Sequence, residues 1–153
     1  MIQDDGDIIR GLGFVVMNSA YLEGWINELL FQLASVEEYT EKQQRWPISR
    51  KIKKIKGILS KSDDPLAEEI RDDLDLCSEH FEWRNELVHG RIYSPEYNED
   101  NLHSLRPNVP NRKADSKELY TLANNLEELS ARVYRPTIFK LQRLIEKLKQ
   151  GDV

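Results

Sequence analysis

Phe81-Glu82-Trp83-Arg84-Asn85-Glu86-Leu87-Val88-His89-Gly90-Arg91-Ile92-Tyr93 gathers a guanidinium, an amide and an imidazole within six residues. Leu66, Ile70, Leu74, Cys77 and Phe81 lead into this stretch at steps of three and four, and Val88 continues the row. Such spacing predicts one long helix from Pro65 to about Arg91, with an apolar face turned to a core. Arg84 falls in the same register, seven residues after Cys77 and four before Val88. A charge in core-facing phase sets local pattern against burial, and such conflicts concentrate at functional and interface positions.

The chain on either side reads as more helix. Ser62-Asp63-Asp64-Pro65 is a stop and restart, with Asp64 as N-cap and Pro65 at the first helical position. Upstream, Ile8, Leu12, Val15, Leu22, Ile26, Leu29 and Leu33 mark one face of a helix over 5–36, where Gly24 predicts close approach of another backbone. Glu37 to Trp46 reads as a connection, and Pro47 opens a basic helix with Ile48, Ile52, Ile55 and Leu59 as its apolar stripe. Downstream, Ser94 to Ala114 is polar and holds Pro95, Pro107 and Pro110. Connections this long are often functional, and Gly90–Ser94 with Leu102–Leu105 can pair as a short hairpin. A last helix starts near Asp115 or Ser116, breaks near Arg132–Pro136, resumes through Ile138, Leu141, Ile145 and Leu148, and closes at Gly151. These segments predict an all-α fold: an antiparallel bundle of four main helices, with a long loop or short hairpin between the third and fourth, in a single domain over 1–153.

The 153 residues suffice for a core, and at 32% charged the chain is charge-rich. Lone Cys77 excludes an intramolecular disulfide and fits a core thiol in a reducing compartment. The acidic Met1-Ile2-Gln3-Asp4-Asp5 start lacks a basic leader region, and no apolar run approaches a membrane span. A cytoplasmic protein without a membrane partner is expected. The net charge of −5 conceals segmentation. Lys42, Arg45, Arg50, Lys51, Lys53, Lys54, Lys56 and Lys61 fall in one stretch free of acids, and seven acids follow between Asp63 and Asp75. The basic segment either meets RNA phosphates, with Lys53 and Lys54 as contacts, or pairs with the acidic run beside it.

Asn85 and His89 stand four residues apart and share a helix side, whereas Arg84 and His89 differ by about 140° on an ideal helix. One straight helix therefore cannot aim both at one atom. Two copies meeting across a two-fold axis would place two Arg and two His in one cleft. Such a cleft has the parts for cutting RNA without a metal or cofactor. An imidazole takes the 2′-hydroxyl proton or supplies one to the leaving 5′-oxygen, and the guanidinium meets charge growing on the phosphoryl oxygens. Asn85 would orient the imidazole or a phosphate oxygen, and Arg91 adds a phosphate contact.

The stretch Phe81 to Arg91 resembles the signature of HEPN domains (higher eukaryotes and prokaryotes nucleotide-binding). That family carries R-x4–6-H, often with Asn directly after the Arg, on one helix of an α-helical bundle. The helix order is similar over most of the chain, as is Tyr21-Leu22-Glu23-Gly24-Trp25 on a long first helix. The resemblance implies a metal-independent endoribonuclease of toxin–antitoxin or antiviral defence type, leaving 2′,3′-cyclic phosphate ends. It implies a homodimer with a composite active site, an antitoxin protein as a further partner, Arg84 and His89 as catalytic residues and Asn85 as support. One toxin subfamily carries a modified Tyr two residues after the His. Here that position is Arg91 and the nearest Tyr is Tyr93, which puts control by that route in doubt.

Other readings stand beside this one. The domain can be a non-catalytic HEPN nucleotide- or RNA-binding or scaffold module. Arg84 can serve an ion pair within the bundle, and His89 can sit at the negative end of the helix dipole. Glu86-x-x-His89 has the form of a di-iron ligand pair, but no second Glu-x-x-His exists, so no metal is expected. His80 precedes Arg84 by one turn and either joins the site or lies on the surface.

Overall fold

Several helices in this chain begin where a side chain takes up free N–H groups of the first turn, and one begins at Pro47 without such a bond. The computed structural model describes residues 1–93, 101–103, 107–108, 110 and 112–150. Helix α1 spans Ile8–Leu33, α2 Glu41–Gln44, α3 Ile48–Leu59, α4 Pro65–His89, α5 Ser116–Phe139 and α6 Leu141–Gln150. Thr40 and Gln43 cap α2 reciprocally. The Asp64 carboxylate accepts from Leu66 N at 2.9 Å at the start of α4, and the Asp115 carboxylate accepts from Glu118 N at 2.9 Å at the start of α5. Strands β1 (Arg91–Tyr93), β2 (Asn101–His103) and β3 (Arg112–Lys113) form an antiparallel sheet in that order, with Ile92 opposite Leu102 and Leu102 opposite Arg112.

The chain is therefore mostly helical, with the short hairpin in the place expected for it and one strand more. Among the described residues there are six helices, because a single turn forms in the connection and the last helix is divided. The division lies at Lys140, not at Arg132–Pro136: α5 runs through Pro136, with Thr137 Oγ1 donating to Val133 O at 2.7 Å and Lys140 N to Pro136 O at 2.9 Å. Proline removes one N–H and crowds one carbonyl, and this helix absorbs both. The expected stop at Gly151 and the hairpin ends Ser94 and Leu105 lie outside the described residues, as does the side chain of Ile138.

The described residues group into two compact units, and α1, α4 and α5 each supply residues to both. The first unit takes 1–20 and 79–127. Its core includes Val15, Phe81, Trp83, Leu87, Leu102, Leu119, Leu122 and Leu126. Gly11 is buried, and a Cβ there would stand 3.0 Å from the Tyr120 ring, so this glycine admits the close neighbour that the helix pattern predicts at Gly24. At Gly24 an added Cβ meets nothing within 4 Å. The Tyr120 hydroxyl donates to Asp5 at 2.6 Å, and Asn18 Nδ2 donates to Ala123 O at 2.9 Å, which satisfies a buried amide.

The second unit takes 21–78 and 128–153. Leu22, Ile26, Leu29, Leu33, Ile55, Leu59, Leu74, Val133 and Ile145 are among its buried residues. Lys56 pairs with Asp75, so the basic and acidic runs do meet there. Lys54 and Lys61 instead hold Glu37 at 2.6 and 3.1 Å, and Lys51 donates to Asn27 at 2.9 Å. Asp73 is buried and pairs with Arg132; burial raises its pKa while Arg132 opposes the rise. The nearby Cys77 thiol is buried and pushed up to about 12, chiefly by burial, which leaves it a packed, unreactive group. No helix among the described residues is long and apolar enough to cross a membrane.

Asp64 carries two jobs, as cap of α4 and as partner of Lys147 at 2.5 Å. The Lys147 hydrogen bond, then the Leu66 N–H, hold its carboxyl below the ordinary 3.8. Its stabilisation is thus full above that value and is lost as pH falls through the folded value. Asp64→Ala should lower stability by about 1–2 kcal/mol near neutrality. Urea titrations should show the difference between the two proteins shrinking below about pH 4.

Candidate functional site

Helix α4 carries the Arg84-Asn85-x-x-x-His89 constellation to its last residue. Gly90 N donates to Glu86 O at 2.7 Å and closes the final turn. A Cβ at Gly90 would lie 2.5 Å from Leu102 Cδ1 and 2.7 Å from Glu86 O, and Leu102 is itself buried. Glycine is what lets the sheet seat Leu102 directly beyond His89. The apolar face turns with it. Val88, expected inside, is 47% exposed, and Leu66 is only half-buried, while Trp83 and Leu87 are buried. The reason is cover: Arg112 of β3 lies over Trp83 and Leu102 of β2 over Gly90. Loop residues with no periodicity thus choose which side of α4 is buried at its end.

Arg84 is half-buried, with its guanidinium carbon 5.5 Å from the Phe81 ring centroid and its Nε inaccessible to solvent. Asn85 is half-buried and His89 exposed, about 40° apart around the helix axis. Arg91 is exposed on β1, two residues after His89. The unbroken helix keeps Arg84 and His89 about 140° apart. Asn85, His89 and Arg91 therefore gather at one helix end, and Arg84 points elsewhere. Lys53 and Lys54 belong to the other unit and line a groove of ≈ 470 Å³ with Glu37, Gln43, Trp46 and Arg50. Lys54 is held by Glu37 with only 8% of its side chain exposed, while Lys53 is exposed.

On the other side of α4 lies a cleft of ≈ 250 Å³, lined by residues that include Glu79, His80, Trp83, Arg112, Thr121 and Asn125. His80 and His89 are about 180° apart on the helix, so they cannot serve one site within a chain. The Arg112 guanidinium lies 3.8 Å from the Trp83 ring centroid and 3.5 Å from the Glu86 carboxylate, a stacked and ion-paired cation. Trp83 was legible as the neighbour of Arg84. Arg112 was not, because it lies in the loop. Among the described residues no cluster of three His, Cys, Asp or Glu is arranged to hold a metal ion. No family model, characterised protein or solved structure matches the chain.

Burial pulls the half-buried His80 imidazole below the ordinary 6.5, against the opposing pull of Glu79. The unfolded chain then takes up this proton at higher pH than the folded one, so stability is full above 6.5 and declines as pH falls towards the folded value. NMR titration of the three imidazoles should show His80 below 6.5, and His80→Gln should flatten that part of the stability profile. Gly90→Ala should cost about 1–3 kcal/mol by overpacking against Leu102, read as a lowered urea midpoint.

Proposed function

We propose that the chain is a metal-independent endoribonuclease of HEPN type, a toxin or antiviral effector whose active site closes only when two copies meet. The observation that carries this reading is the end of α4, where an exposed His89 stands one turn after Asn85 and Arg84 faces about 140° away. A single helix supplies every group the chemistry needs, and in one chain the groups diverge. A two-fold partner supplies the missing direction.

In the reaction the RNA 2′-oxygen bonds to the adjacent phosphorus as the bond from phosphorus to the 5′-oxygen breaks. One imidazole takes the 2′-hydroxyl proton and another delivers a proton to the departing 5′-oxygen. Arg84 neutralises charge growing on the phosphoryl oxygens, and Asn85 orients the imidazole or the phosphate. The product ends are a 2′,3′-cyclic phosphate and a 5′-hydroxyl. Arg91 touches the backbone of the same strand. An antitoxin protein that covers this helix end in the cytoplasm belongs to the same reading.

A second reading, a non-catalytic RNA-binding or scaffold module of the same family type, is favoured by one observation. Arg84 is packed against Phe81 with its Nε inaccessible. RNA cleavage in EDTA separates the two. Arg84→Ala and His89→Ala should each reduce cleavage by about 100-fold or more. Excess His89→Ala added to the wild type should suppress cleavage, because a mixed dimer keeps one imidazole where the reaction uses two. Undiminished cleavage by both variants defeats the catalytic assignment. A folded wild type that binds RNA and never cuts it establishes the binding module.

A further inference from the structure

Residues 132–149 hold six basic side chains and one acid, a local charge of +5 in a chain of −5. This segment covers the end of α5 and most of α6. Here lies a groove of ≈ 660 Å³ lined by Phe139, by the cations Lys140, Arg143 and Lys147, and by two carboxylates, Asp64 and Glu146, which leaves the cations in excess by one. Its volume is in the range of ligand-binding clefts.

Two of its properties point to one kind of occupant. The first is charge. Lys147 is spent on Asp64 at 2.5 Å. Lys140 and Arg143 are exposed and, among the described residues, have no carboxylate in ion-pair reach. In the basic helix α3, Lys54 and Lys56, with Lys61 just beyond its end, hold acids, while Arg50 and Lys53 are exposed beside Trp46, which is only half-buried. The second is an exposed ring. Phe139 is 74% exposed, stands edge-on to Tyr134 at 6.4 Å between centroids, and Tyr134 stands edge-on to Trp25 at 4.5 Å. An exposed phenyl face directly beside uncommitted cations is the pairing that single-stranded nucleic acid uses: phosphates meet the cations and an unstacked base meets the ring. A duplex hides its base faces and has no use for the ring.

We propose that this groove is a binding surface for single-stranded RNA, with Phe139 as a base-stacking platform and Lys140 and Arg143 as phosphate contacts. The choice of RNA rests on the endoribonuclease reading; the single-stranded, stacking mode of binding rests on the groove. Neither Lys53 nor Lys54 takes part.

The test is fluorescence anisotropy of the full chain with a labelled 2′-O-methyl RNA oligonucleotide, which a 2′-oxygen attack cannot cut. Binding is thus read independently of cleavage, and failure of one reading is distinguishable from failure of the other. Phe139→Ala should weaken binding by about tenfold or more. Lys140→Gln with Arg143→Gln should reduce the slope of log affinity against log salt by about 0.7 for each phosphate no longer neutralised. Lys117→Gln, at an exposed lysine of the other unit, should leave both unchanged. A duplex of the same sequence should bind more weakly and be insensitive to Phe139→Ala. Circular dichroism checks that each variant is folded. The proposal is overturned if folded Phe139→Ala and Lys140→Gln/Arg143→Gln bind as the wild type does. It is equally overturned if poly-glutamate displaces the RNA at equal charge concentration and Phe139→Ala changes nothing, which would make the groove a site for acidic protein. Equal binding of single-stranded DNA supports stacking and overturns the choice of RNA.

Discussion

A helix advances about 100° per residue, and nothing in α4 interrupts that advance before His89. This constraint decides what the end of the helix can do. Asn85 and His89 come out on one side, His80 and Trp83 on another, and Arg84 lies between the second side and the buried face. A kink would have let one chain gather Arg84 and His89. Gly90, the residue that could have supplied flexibility, is taken up by packing instead, since Leu102 occupies the space of its missing Cβ. The local chemistry is therefore divided by geometry that single side-chain rotations do not undo.

How far the sequence discloses this fold follows from where its information lies. Periodic apolar residues place α1, α3, α4 and α5, because burial of a stripe dominates each helix. Asp64-Pro65 and Asp115 mark helix starts because a carboxylate at that position takes up free N–H groups. Pro136 misleads, since the cost of a proline depends on the helix around it, and α5 holds on both sides. Val88 misleads for a different reason. Its register matches Ile70, but what covers the end of α4 comes from strands of two and three residues that carry no period. Arg112 over Trp83 belongs with these: a pairing across 29 positions leaves no trace in local pattern. The residues of the helix end were legible and their directions predictable; the cleft on the far side of α4 was not.

Charge shows the same limit. The acid-free stretch from Lys42 to Lys61 looks like the surface for a polyanion, yet Lys51, Lys54, Lys56 and Lys61 find Asn27, Glu37 and Asp75. Composition counts charges, whereas a binding surface depends on which charges remain uncommitted. The smaller basic excess of 132–149 keeps Lys140 and Arg143 exposed beside an exposed ring. Surface pairs of this kind stabilise a fold by little, about 0–1 kcal/mol each. Their main effect in α3 is to lower the field available to a ligand.

On the proposed readings, binding and cutting require different numbers of chains. One copy presents a complete strand-binding groove, whereas one copy presents half of a catalytic site. Cleavage then depends on chain concentration even when RNA binding is saturated. A long single strand relieves that dependence, because two copies held on one strand meet at the effective concentration set by the RNA between them. A short oligonucleotide holds one copy and offers no such gain. The length of the single-stranded substrate, as much as its sequence, would then set the rate. This follows from two structural facts together: Arg84 and His89 face apart along an unbroken helix, and the groove that holds Lys140 and Arg143 carries an exposed aromatic ring.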